Sequence, residues 1–399
     1  MIYVKEKTTH SSLIDRRIEP MKPVEDLVRE SMKSLKPCIH GGEVLDAAGE
    51  SGLKREEILD FSSSVNPLGP SKKALEAAKA AFNEIPAYPD SNSSELRRAI
   101  GSRFSDIGGE NVVVGNGSTE LMYLFAEVFL KDGEKALIPV PTFGEYESAV
   151  RKTGETVKLL RLDSNFNIDP DVFKSELASA KIVFLCNPNN PTSMLIPNET
   201  LTGIIEAALN RDVLVFLDED FLEFVENEST LSLISKIKRY PNLFILRSFT
   251  KIFGLTGLRV GYGIANEEII NALSCAKIPW NVNCLAQAAA VAALKDEGHL
   301  AVTRNLIKKE KAWILAEFER FSSFKVYPAD ANFFFVDVRQ SGLTSTQLAK
   351  GLLHQGILIR DCASFRGLDQ YYIRVAVKTH SENARLIEAL KRTVKNQHA

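Results

Sequence analysis

From Asn111 onward the chain runs in short, nearly uninterrupted apolar segments separated by longer helical patterns. The segments are Val112–Val114, Ala136–Pro139, Val157–Leu160, Ile182–Leu185, Leu214–Leu217, Leu243–Leu246 and Val260–Ile264. A strand with one face in water alternates apolar and polar side chains, whereas a strand covered on both faces reads as a continuous apolar run. The alternation therefore predicts an α/β fold: a mostly parallel, seven-stranded sheet wrapped by helices.

Outside this block the pattern changes. Upstream, Asp60-Phe61-Ser62 leads into the Pro- and Gly-rich loop Asn66–Pro70 and then a helix of Lys and Ala character. Downstream, a long helix from Leu300 to Phe321 precedes strand-like pieces at Asn332–Val336, Ile357–Ile359 and Tyr372–Val377. Both chain ends, residues 37–85 and 295–399, are thus expected to combine into a smaller α+β domain beside a large domain over 86–294. Residues 1–36 read as an N-terminal arm, or an early helix from Val24 to Leu35, without the apolar core of a secretory signal.

Composition narrows the function. With 49 basic against 51 acidic residues, no overall field recruits nucleic acid or an anionic membrane, so any anion must be held by local groups. No run approaches the ~20 apolar residues of a membrane span. The cysteines Cys38, Cys186, Cys275, Cys284 and Cys362 lie far apart, without metal-ligand spacing, and suit a reduced, cytoplasmic protein with no metal site.

Ligands of doubly wound sheets bind beyond the carboxyl ends of the strands, so the residues following each run carry the chemical information. Val112–Val114 opens into Gly115-Asn116-Gly117-Ser118-Thr119-Glu120, where glycines admit close backbone approach and Ser118 can cap the next helix, an anion cradle. Ile182–Leu185 ends in Cys186-Asn187-Pro188-Asn189-Asn190-Pro191-Thr192, a stiff turn that fixes an amide. Leu214–Leu217 ends in Asp218-Glu219-Asp220, and Leu243–Leu246 in Arg247-Ser248-Phe249-Thr250-Lys251, followed by Arg259. Each has a bland structural explanation alone. Their order along successive strand ends does not.

Pyridoxal phosphate chemistry needs this set. A lysine amine condenses with the cofactor aldehyde, an acid keeps the ring nitrogen protonated, and the phosphate takes amides, hydroxyls and an arginine. Lys251 and Asp218 are the candidate catalytic pair, with Gly117, Ser118, Ser248, Thr250 and Arg259 around the phosphate.

The motifs Asn189-Asn190-Pro191-Thr192, Asp218-Glu219 and Ser248-Phe249-Thr250-Lys251 through Gly257-Leu258-Arg259-Val260-Gly261-Tyr262 resemble the fold type I aminotransferase family, from about His40 to Asn383. The resemblance implies that Asn190 contacts the ring 3′-oxygen, that Phe143 stacks on the ring, and that the chain is a homodimer in which Tyr88 reaches the neighbouring subunit's phosphate. It also aligns Arg374 with the family's substrate-anion arginine and Arg360 with a substrate-phosphate position. His40, Gly41 and Asn66 are further substrate-contact candidates.

Two branches that use phosphorylated amino acids or amines compete. His40-Gly41-Gly42, Asn66-Pro67-Leu68-Gly69 and Ile359–Gly367 resemble the threonine-phosphate decarboxylase branch of cobamide synthesis more than the histidinol-phosphate aminotransferase branch. The leading expectation is accordingly a lyase that decarboxylates phosphothreonine or phosphoserine. An aminotransferase is the alternative, and a non-catalytic binding protein a third. Two departures stand out: Phe221 where many relatives carry a tyrosine, and Ser193 where a glycine usually ends the asparagine loop.

Overall fold

The computed structural model describes residues 21–33 and 35–395. Residues 1–20 of the expected arm lie outside it. The remainder of the arm forms two one-turn helices, Val24–Leu27 and Glu30–Lys33.

Thirteen strands are present among the described residues: β1 (Leu59–Asp60), β2 (Val112–Gly115), β3 (Lys135–Val140), β4 (Thr156–Arg161), β5 (Ile182–Cys186), β6 (Leu214–Asp218), β7 (Leu243–Ser248), β8 (Gly261–Ile264), β9 (Lys325–Val326), β10 (Phe333–Asp337), β11 (Ile357–Leu358), β12 (Arg360–Asp361) and β13 (Tyr372–Ala376). All seven apolar runs became strands of one sheet, in the order β2-β8-β7-β6-β5-β3-β4. Only β8 runs against its neighbours.

Strand periodicity divides each run between two apolar layers. Val183, Leu185, Val215, Leu217 and Ile245 join the larger core on one face. Phe184, Phe216 and Phe244 meet Phe125 on the other, with ring centroids 5.1 to 6.4 Å from it. Gly263 is required there, because a Cβ would lie 2.0 Å from the Phe244 ring.

Within the segments expected to form the smaller domain lie the antiparallel sheet β12-β13-β10-β9 and the parallel pair β1-β11, which joins the two chain ends directly. The helix Lys72–Ala80, expected with this domain, packs instead on the helix Cys284–Leu294. Alanines on both, among them Ala74, Ala286 and Ala289, are fully buried and let the two backbones approach closely. No helix among the described residues is long and apolar enough to cross a membrane.

Candidate active site

Neighbouring strands end in step. Cys186 of β5 pairs with Asp218 of β6, and Asp218 with Leu246 of β7, so their following loops emerge side by side. They open onto a cavity of about 740 Å³ whose lining includes His40, Gly41, Phe143, Asn190, Lys251, Arg360 and Arg374. Residues scattered over more than three hundred positions thus share one space.

Lys251 Nζ stands 4.0 Å from Asp220 Oδ2 and 5.2 Å from the centre of the Phe221 ring. Burial pulls the Lys251 ammonium below its ordinary range; Asp220 opposes this and Arg374 adds to it. Asp218 is buried at the end of β6, accepting a hydrogen bond from Tyr146 Oη at 2.6 Å and another from the Asp220 amide at 2.9 Å. Burial, followed by the neighbouring Asp220 charge, holds its carboxyl well above the usual range.

The anion cradle lies beside the lysine loop. The helix Ser118–Phe129 begins with Ser118 as its first residue, and its N-cap, Gly117, has no side-chain cap, which leaves the first-turn amides open to an anion. Gly117 has φ +79°, and a Cβ on it would strike the Arg259 guanidinium at 2.3 Å. Arg259 Nη1 is 3.5 Å from Thr250 Oγ1, while Ser248 Oγ accepts the Thr250 amide at 3.0 Å.

Across the cavity, Arg374 on β13 donates to Asn190 Oδ1 and, at 2.6 Å, to the Ser62 carbonyl, yet its buried Nε has no partner. Arg360 reaches the cavity with part of its fork engaged: it donates to the Ile39 carbonyl at 2.7 Å and the Ser364 hydroxyl at 3.0 Å. It thereby fastens the segment carrying His40. The His40 ring is 5.9 Å from that of Phe143, and its Nε2 is 2.8 Å from Glu145 Oε1. Burial pushes the Glu145 carboxyl up, but hydrogen bonds from His40 and Tyr123 outweigh it and leave the carboxyl below its ordinary range.

Asp218 and the cradle residues Gly117, Ser118, Ser248, Thr250 and Arg259 do not themselves line this cavity, and two further expected site residues stand away from both. The Asn66 side chain donates to the Ile252 carbonyl and the Thr303 hydroxyl and accepts the Leu68 amide, while its own amide holds the Lys251 carbonyl. It is a strut behind the lysine loop, absent from the cavity lining. Tyr88 is 80% exposed and stacks on Trp280 at 4.6 Å. Sequence reasoning missed Tyr146 and Glu145. Tyr146, three residues beyond Phe143 in the first turn of the helix Glu145–Thr153, was signalled by that spacing; an acid in a first turn is too ordinary to have flagged Glu145.

Ser193 takes the left-handed φ of +67° that a glycine would adopt freely. Its hydroxyl and carbonyl accept the amides of Ala331 and Asp330, which offsets the strain.

Residues 56–390 match the family described as aminotransferase class I and II. The chain belongs to the class I and II aminotransferases. A histidinol-phosphate aminotransferase of Methanosphaera stadtmanae is 33% identical over 371 residues, 92% of this chain and 99% of its own. The crystal structure of the histidinol-phosphate aminotransferase from Clostridium acetobutylicum aligns with a TM-score of 0.80 at 34% identity, covering 85% of this chain and 100% of that one. That of the L-threonine-O-3-phosphate decarboxylase from Porphyromonas gingivalis aligns with a TM-score of 0.75 at 26% identity, over 84% and 99%.

The aminotransferase fold and the cofactor expected from sequence both hold: this is a pyridoxal phosphate-dependent enzyme. The residues fit the group independently. The buried Asp218 carboxyl at the end of β6 accepts bonds only from a phenol and an amide, the absence of a Cβ at Gly117 allows the Arg259 guanidinium to approach closely, and a lysine faces the cavity.

The decarboxylase expectation, with its lyase chemistry and role in cobamide synthesis, is overturned. The curated relatives at 33% and 34% identity over most of the chain are histidinol-phosphate aminotransferases. Of the motifs that suggested decarboxylation, His40, Gly41 and Arg360 line the cavity, whereas Asn66 lies outside it. Phe221 is a packing residue, its ring 5.0 Å from that of Phe333.

Proposed function

We propose that this aminotransferase moves an amino group between a phosphorylated amine of the histidinol-phosphate type and a keto acid such as 2-oxoglutarate. The observation that carries the reading is a pair of buried guanidiniums, Arg360 and Arg374, in the cavity that contains Lys251. Such a reaction seats a phosphate-bearing and a carboxylate-bearing substrate in turn, and planar guanidiniums bind both anions. The names of the relatives support the substrate class.

Asp218, steadied by Tyr146, would keep the ring nitrogen protonated; Asn190 would meet the ring 3′-oxygen and Phe143 its face. Gly117, Ser118, Ser248, Thr250 and Arg259 would hold the phosphate. Bound pyridoxal phosphate supplies an electron sink for the substrate α-carbon. Lys251 would hold the cofactor aldehyde and would move the proton at the substrate α-carbon; its lowered pKa, caused first by burial, increases the fraction available as free base. Arg374 offers its unpaired Nε to a substrate anion. His40, oriented by Glu145, and Arg360 would take the phosphate.

The purified enzyme, given histidinol phosphate and 2-oxoglutarate, should form glutamate with no CO₂ release, and should turn over histidinol at least ~10-fold more slowly, the worth of a charge-assisted hydrogen bond. Failure to form glutamate would remove this reading. We further infer a homodimer that shares sites through Tyr88, which is supported by the exposed apolar side chains Phe82, Ile85, Ile278 and Trp280 around it. Mixing Lys251→Ala with Tyr88→Ala protein should then restore roughly a quarter of wild-type activity, one intact site in half of the dimers. No recovery after subunit exchange would exclude sharing.

A further inference from the structure

The geometry points to Asp220 as the charge partner that holds a proton on the Lys251 nitrogen, a positioning residue for the reaction. The inference rests on Lys251 being the cofactor lysine. Asp220 lies two residues beyond Asp218, on the same turn but with a different outlook. Its amide donates to Asp218 Oδ1, while its carboxylate faces away, with Oδ2 4.0 Å from Lys251 Nζ. Its other oxygen, Oδ1, is buried with no hydrogen-bond partner. The next residue, Phe221, presents only a ring to the same amine, 5.2 Å from its centre. No other carboxylate lies within 4 Å of Lys251 Nζ among the described residues.

Four charged groups act on Lys251. Arg374 and Arg259 push its proton off, and Asp220 and Asp218 retain it. Asp218 is already engaged by Tyr146 and the Asp220 amide. Asp220 is the nearer acid and the less satisfied. A carboxylate in that position favours the charged form of an amine by about 1–3 pH units. By steadying the protonated nitrogen, Asp220 offsets part of the lowering caused by burial and Arg374 and favours the form that can deliver a proton, while the free base stays accessible, and it keeps the amine directed into the cavity.

The test is a pH titration of the visible absorption band of the full-length holoenzyme, in wild type, Asp220→Asn and Asp220→Glu. The asparagine variant should lower the midpoint by about one unit, a tenfold loss of proton affinity. The glutamate variant should stay near wild type. An unmoved midpoint in the asparagine variant, or an equal drop in both, overturns the inference, because a merely structural residue would give one of those results. Asp220→Ser supplies the same comparison if the asparagine variant folds poorly. Borohydride reduction and peptide mapping separate the two levels of argument: cofactor trapped on another lysine defeats the assignment of Lys251, whereas cofactor on Lys251 with no midpoint shift defeats only the role of Asp220.

Discussion

The turn that closes β6 sends consecutive carboxylates to opposite sides of one sheet, and they live very differently. Glu219 is saturated by its own fold: Oε2 accepts Arg247 Nε at 3.0 Å, Arg247 Nη2 at 2.7 Å and the Ser232 hydroxyl at 2.7 Å. Arg247 is equally buried and reaches Glu228 as well. On the other side, Asp218 is pushed far above its normal titration range and Asp220 keeps a buried oxygen without a partner. A buried charge is costly unless paired. Complete pairing lets the Glu219 charge support the fold, whereas the Asp218 and Asp220 carboxyls stay only partly compensated near Lys251.

The largest effect should come from Lys251→Ala, which ought to remove the visible band of the bound cofactor and cut turnover by roughly 10³-fold or more, as loss of a proton-transferring group does. Retained turnover would break the contrast at its functional end. Arg247→Ala tests the structural end. Leaving Glu219 buried and unpaired should cost about 3–5 kcal/mol in urea unfolding, with the cofactor band intact in whatever protein stays folded.

The pH dependence of stability sharpens the same contrast. Asp218 in the folded chain keeps its proton after the unfolded chain has lost it, so protein stripped of cofactor should lose stability as pH rises above ~4. Asp218→Asn should flatten that decline. It should not abolish it, because burial also raises Asp220 and lifts Glu223 to about 7. A steeper decline would contradict the assignment. Smallest of the set, Arg360→Ala should raise KM for phosphorylated substrate by about 10- to 100-fold while changing that for unphosphorylated histidinol little; equal losses would make Arg360 only the fastener of residues 39 and 40.

Much of this was legible in the sequence, for a physical reason. Strands covered on both faces cannot hide their apolar character, so all seven runs of the large sheet could be read, and with them the polar residues at their ends. What could not be read was the company each polar residue keeps. Asn66 meets Ile252 and Thr303, 186 and 237 positions away, and no local pattern encodes such contacts. Glu145 gains its importance only when His40 arrives from an N-terminal segment 105 positions upstream. The choice between decarboxylation and amino transfer was misjudged because it depends on which substrate bond stands perpendicular to the ring, and residue types do not spell that out.

The cavity is assembled from three stretches of chain made at different times. His40 and Gly41 come first, Asn190 and Lys251 precede Tyr262, and Arg360 and Arg374 are among the later residues to be synthesised. Synthesis on the ribosome therefore completes the proposed cofactor residues before two of the cavity's guanidiniums exist, while His40 and Gly41 are already made. A chain truncated ahead of Arg360 would keep Lys251 and Asp218 but lose both buried guanidiniums of the cavity.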